Sequence, residues 1–213
     1  MSATRHQSAR RCAAALSLLV AAVLLPNATP VRAAQTNALG IFYDSEATID
    51  EISIGANSQH VLYLVLLNPV NDAFAGSSTR DVRQVSGFEC GIDPPTGDFL
   101  LGVDFPLPAV NVGSTGNLIV GFAGAVPVGT AGTAVLATLR VLSFGDNRDG
   151  YLLGTASPPS IPGMMAYVDA EDTDDDLVGM MPASGAFERP VFWFGNWHVR
   201  ENAQWGAVKS LYR

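Results

Sequence analysis

Cysteine is close to absent. The chain of 213 residues has two, and Cys12 lies in an N-terminal stretch that reads as a removable signal, so Cys90 stands alone. A single thiol forms no intramolecular disulfide and excludes a cysteine-built zinc site. Its place on the apolar side of an alternating run makes it a small buried hydrophobe. Basic residues are the second shortage, with 12 Lys and Arg against 20 Asp and Glu. Long apolar runs are the third: beyond the N-terminus no stretch approaches the roughly 20 residues that cross a bilayer. Catalytic signatures are missing too. No serine stands in a Gly-x-Ser-x-Gly elbow, and Gly113-Ser114-Thr115-Gly116 lacks its spacing. There is no P-loop and no dinucleotide fingerprint. His60 and His198 among so many carboxylates would give apparent triads by chance.

The N-terminal stretch has the grammar of export. Arg5, Arg10 and Arg11 precede an apolar run from Cys12 to Leu25 and a polar end from Pro26 to Ala34. Val31 and Ala33 supply the small residues a signal peptidase needs, so residues 1–33 are expected to be a signal peptide. The run of about 14 apolar residues is short for an uncleaved anchor, and Cys12 stands at its start instead of following it, which argues against a lipoprotein. Cleavage removes Arg5, Arg10, Arg11 and Arg32 and no acid, leaving eight basic residues against 20 acidic ones and a net charge of −12. Such a surface disfavours nucleic acid and anionic membrane as partners. No stable membrane insertion is expected after cleavage.

What the chain does contain is strand grammar. Asn37 to Tyr43 and Thr48 to Ile54 read as strands, the second with Ile52 and Ile54 on one face and Glu51 and Ser53 on the other, and Val61 to Leu67 is apolar throughout, as in a central strand covered on both faces. Asn68-Pro69 ends it. Phe88, Cys90 and Ile92 alternate, then Phe99, Leu101, Val103 and Phe105, around Asp-Pro-Pro-Thr-Gly; this predicts a hairpin with those side chains inward. Asn117 to Phe122 and Thr133 to Phe144 are two further strands, the second with Val135, Ala137, Leu139 and Val141 on one face. Gly145 to Gly150 is a turn. Residues 157–190 read as an irregular Pro- and Asp-rich excursion with a short strand at Ala166 to Val168. Val191 to Val199 is an aromatic strand. In the tail, 200–213, Trp205, Val208 and Leu211 recur at the spacing of a short amphipathic helical turn. The expectation is an all-β domain over 34–199, an antiparallel β-sandwich of jelly-roll or Ig-like type with about nine strands and little helix.

The order of an apolar strand, a loop, V-x-G-F-E-x-x-I matched over Ser86 to Ile92, G-N-L-I-V-G-F-A at Gly116 to Ala123 and V-L-A-T-L-R-V at Val135 to Val141 resembles cohesin-type sandwiches and the related carbohydrate-binding modules. The resemblance covers His60 to Phe144 and stops before Pro158. It implies a non-catalytic module that binds a protein or a glycan on a sheet face. The ending W-G-A-V-K-S-L-Y-R is similar to short C-terminal tails of exported bacterial proteins.

Two constellations stand out. Asp169, Glu171, Asp172, Asp174, Asp175 and Asp176 offer the oxygen ligands that calcium takes. The EF-hand spacing begins at Asp172, Asp174 and Asp176 and fails at Leu177 and Ala183; a solvated acidic loop is the plainer reading. Trp193, Trp197 and His198 lie in the aromatic strand and suit a platform for sugar rings; alternation puts Phe192 and Phe194 on the opposite face, so at least one of the two sets is core, and core packing of both is the plainer reading. Paired methionines at Met164-Met165 and Met180-Met181 suit adaptable packing. The sequence therefore predicts a secreted or envelope-located binding or adhesion module for a protein or an extracellular glycan. A carbohydrate-active or metal-dependent hydrolase is the alternative, and a structural surface protein with self-pairing edges is the third reading.

Overall fold

Val, Ile, Leu and Phe at every second position drive the chain into strands that bury one face and wet the other. The computed structural model describes residues 35–55, 57–72, 79–145, 149–172 and 177–195. Residues 1–34, 56, 73–78, 146–148, 173–176 and 196–213 lie outside them. The strands are β1 (Ala38–Phe42), β2 (Glu51–Ile52), β3 (Ser58–Leu67), β4 (Val70–Asn71), β5 (Arg80–Asp81), β6 (Gln84–Asp93), β7 (Phe99–Asp104), β8 (Ala109–Asn111), β9 (Asn117–Pro127), β10 (Thr133–Ser143), β11 (Leu152–Gly154), β12 (Met165–Asp169), β13 (Leu177–Pro182) and β14 (Trp193–Phe194). The described residues are all-β, with no helix.

Ten strands join one curled sheet in the order β7-β10-β3-β1-β13-β12-β6-β9-β8, with β11 also on β6. Two small pairs, β2 with β14 and β4 with β5, lie beside it. Most neighbours are antiparallel, but β1 and β13 run parallel, with Ala38 opposite Met181. The sheet is thus mixed, a curl resembling half a barrel, where the sequence predicts a purely antiparallel sandwich. Strand direction is the reason for the miss, because side-chain alternation is identical in parallel and antiparallel pairs.

One core fills the curl. Leu39, Ile41, Leu62, Leu64, Leu66, Leu139 and Val141 from β1, β3 and β10 meet Phe88, Cys90, Leu118 and Val120 from β6 and β9 in it. Each such side chain contributes roughly 1.5–3 kcal/mol on burial. Cys90 is fully buried and its thiol pKa is pushed far up, by burial first and by neighbouring Glu89 second. As the sequence predicts, β3 is central, held by β1 on one side and β10 on the other, but it is not covered on both faces throughout: Val61 is exposed on the outer one. Met165 and Met180 are buried, and Met164 lies over Gly179, where a Cβ would come within 2.6 Å of its methyl group. These methionines are packing.

Three expectations change. First, β6 and β7 are not a hairpin: β6 pairs with β9, β11 and β12, and β7 pairs with β10 at the far edge. The turn between them, with Asp98 N–H bonded to Pro95 O at 3.0 Å and Gly97 at φ +96, carries the chain from one half of the curl to the other. Second, bulges in β10 between Val135 and Ala137, and against β7 between Arg140 and Val141, shift the faces. A bulge adds one residue to one strand and so reverses the alternation beyond it. Leu136 is therefore buried, while Phe99 and Leu101 point out and Leu100, Val103 and Phe105 pack on the core. Third, the 157–190 stretch carries more strand than the short one expected at Ala166 to Val168. It supplies β12 and β13 to the middle of the sheet, and its start is tied down by buried Glu89, which accepts Ser160 N–H and Oγ–H at 2.7 Å each.

Candidate functional site

The acidic run begins as a clasp whose Asp169 and Asp172 are buried while Glu171 reaches the surface. Asp169 closes β12 just past a register shift against β6, and it is wholly buried. Its Oδ2 accepts from Asn71 Nδ2 at 3.1 Å and from Arg80 Nη2, and its Oδ1 accepts from Glu171 N–H at 3.0 Å. Arg80 Nη1 donates to Glu171 Oε2 at 2.9 Å, while Asn71 Nδ2 also reaches Asp172 Oδ2 at 3.0 Å. The β4–β5 pair thus supplies the donors that the 169–172 segment needs. Below it, the Tyr167 hydroxyl lies 3.0 Å from both Asn37 Oδ1 and Val70 O. Burial raises the pKa of that phenol, and the charges of Asp169 and Asp72 raise it further.

This arrangement places a guanidinium where a cation would sit against Asp169 and Glu171. Among the described residues, no group of three or more His, Cys, Asp or Glu side chains is arranged to hold a metal ion. Asp174 and Asp176 of the expected calcium set, with Asp175, lie outside the described residues. Asn71 and Arg80 are the members of this cluster that the sequence does not announce, because both are far away in the chain.

The aromatic strand closes the end of the curl where β3 begins. Phe192 and Phe194 are buried with Tyr151, ring centroids 5.1 to 5.9 Å apart, so theirs is the face of the strand that enters the core. Trp193 points the other way and is half-buried against Gly150, where φ is +67 and an added Cβ would fall 2.7 Å from the indole. Trp197 and His198 lie outside the described residues. His60 shares the inward parity of Leu62, with its ring 4.9 Å from Phe194 and 6.1 Å from Tyr43. Burial lowers its pKa below the ordinary 6.5, opposed by the charge of Asp98. Asp98 in turn accepts Tyr151 O–H at 2.9 Å. Ser58 Oγ lies 2.7 Å from His60 Nε2 and 2.8 Å from Gly55 O. A hydroxyl has one proton, and Gly55 O can only accept it, so His60 donates to Ser58. That direction is the reverse of what a serine nucleophile needs.

On the outside of the curl, β7 and β10 carry an aromatic ridge. Phe99 and Phe144 are 55% and 52% exposed, with centroids 6.0 Å apart and planes at 86°. Leu101 and Val61 are exposed on the same outer face, beside an ion pair of Arg140 Nε and Asp104 Oδ2 at 3.0 Å. The β7–β10 bulge creates this ridge by turning Phe99 and Leu101 outward. No signal in the sequence marks a bulge there, which is why simple alternation assigns both side chains to the core. Comparison with family models, curated proteins and solved structures finds no match.

Proposed function

We propose that the chain is an exported, non-catalytic binding module that engages a protein or an extracellular glycan on the outer face of its sheet, with the two halves of the curl acting as the layers of a sandwich. The ridge of Phe99, Leu101 and Phe144 carries this reading. Aromatic rings exposed on rigid strands present their faces at little cost in side-chain entropy, which suits both stacking on sugar rings and anchoring a protein partner. The half-buried edge of Trp193, with Trp197 and His198 beyond it, is a second candidate contact. A glycan array, and pull-down from the culture fluid of the source organism, test this with wild-type and Phe99→Ala/Phe144→Ala protein. A partner captured by the first and lost by the second is the expected result; equal capture sinks the ridge as the site. Calcium belongs to the reading only through Asp172, Asp174 and Asp176, since Arg80 already neutralises Asp169 and Glu171. Calorimetric heat abolished in Asp172→Ala/Asp174→Ala checks it, and absence of heat in the wild type removes it.

A second reading, a structural surface protein, is favoured by the edges of the sheet. Strand β8 is one edge, and Val110 on it and Val112 just beyond are among the most exposed apolar side chains described. Unprotected edges pair with other copies. Light scattering that rises with concentration, and falls in Val110→Lys, supports this reading; a constant monomer mass removes it.

A further inference from the structure

At the opposite end of β3 from the aromatic strand, the mouth of the curl opens into a groove of about 560 Å³. Two chain crossings wall it: Asn68 to Val70 with Asp81 to Arg83 on one side, and Val128 to Gly132 on the other. Val70, Val82 and Val128 give it an apolar floor, and Thr36 and Thr130 bring hydroxyls to it. Val82 is buried while Asp81 and Arg83 on either side are exposed, so both charged side chains rise from one edge of the groove. The neighbouring arginines are neutralised, Arg80 by Asp169 and Glu171 and Arg140 by Asp104. Arg83 has no ion pair of this kind among the described residues. An uncompensated guanidinium beside a cleft is out of character for so acidic a chain. The volume falls within the range of small-ligand sites, which favour the mouths of curled and closed sheets.

We infer that this groove binds a uronate residue of an acidic glycan, with the sugar carboxylate on Arg83 and ring hydroxyls donating to Asp81. Guanidinium is the side chain that pairs with a carboxylate in bidentate fashion. Asp81 repels a simple anion, and it accepts hydrogen bonds from hydroxyls. The pair therefore selects a ligand with one carboxylate and several donors over a bare anion. Spacing selects further. Two residues of extended chain separate Asp81 from Arg83 by about 7 Å. A sugar ring, with its carboxylate and its hydroxyls on opposite sides, spans this better than an α-amino acid, whose two charges sit on one carbon. The valine floor takes the C–H face of the ring. The groove and the Phe99–Phe144 ridge lie at opposite ends of β3, so the two proposals stand or fall separately.

Calorimetry with tri-galacturonate and tri-mannuronate, against neutral galactotriose, tests the assignment. At least one uronate trimer should bind, with the neutral trimer weaker by about tenfold or more, and Arg83→Gln should weaken the uronate by about tenfold or more. Asp81→Asn should lose less. Arg83 is exposed, so Arg83→Gln should melt with the wild type, and Phe99→Ala/Phe144→Ala should keep its uronate affinity. Absence of binding by both uronates up to millimolar concentration overturns the inference. So does equal affinity for the neutral trimer, unchanged affinity in Arg83→Gln, or tighter binding of an unmodified tripeptide.

Discussion

The carboxylates of the 169–172 clasp and the rings of the Phe99–Phe144 ridge have exchanged the places that composition assigns them. Asp169 is 0% exposed, whereas Phe99 is 55% exposed. The charged group is inside because Arg80, Asn71 and the Glu171 amide meet it there; stripped of partners, a buried carboxylate would be too costly to keep charged. The aromatic group is outside because a bulge inserted one residue into β7's pairing and left its ring no core to enter. Burial follows from what the fold brings to each residue, and residue type is only the first guess. It also divides the molecule into a part whose chemistry is used up internally and a part whose chemistry still faces outward.

The contrast can be broken or sharpened by measurement. The largest effect belongs to a ring that did find the core. Phe88 packs with Phe105 and Phe122 at centroid distances of 5.9 to 6.4 Å, and Phe88→Ala should cost about 3–5 kcal/mol in urea unfolding. Arg80→Met comes next. It strands Asp169 without its counter-charge and should cost about 3 kcal/mol, with part regained in Arg80→Met/Asp169→Asn. Additive losses in the double variant would show that the clasp is not a unit.

A smaller effect concerns His60, whose pKa in the fold lies below 6.5 because burial disfavours its charged form, with Asp98 acting against the shift. Between that lowered value and 6.5 the unfolded chain binds more protons than the fold. The stability His60 contributes is therefore complete above about pH 6.5 and is lost as pH falls through the folded value. Urea midpoints compared at about pH 7.5 and 5.5 should fall in the wild type and fall less in His60→Gln; parallel behaviour would refute the assignment. The smallest effect closes the comparison. Phe99→Ala and Phe144→Ala should each change stability by about 1 kcal/mol or less. A loss as large as that of Phe88→Ala would mean the ridge is core after all.

Much of this was legible in the sequence. The uninterrupted run at Val61 to Leu67 marked a central strand, the alternation in the aromatic strand marked at least one of its faces for burial, and the solitary Cys90 marked a core thiol. What stayed hidden was non-local. Strand β13 carries Gly179 and Pro182, poor strand formers, and is a strand because β1 and β12 lie alongside it. The bulges at Val135/Ala137 and Arg140/Val141 come from pairing, and no residue type announces them. The acidic run was visible, yet Asn71 and Arg80 approach it from a separate small pair of strands. The uncompensated Arg83 became noticeable only when its neighbours were seen to be spoken for.

The parallel join between β1 and β13 has a consequence for the order of events during folding. The first strand of the described chain receives its second neighbour only when Met181 and Pro182 are in hand. Until then β1 can pair with β3 alone, and β12 lacks the partner that links it back to β1. Contacts so distant along the chain make for slow, late-committing folding. A nascent chain emerging from its N-terminus cannot join the two halves of the sheet early; the β1 side and the β12 side stay separate until nearly all of the domain has been made.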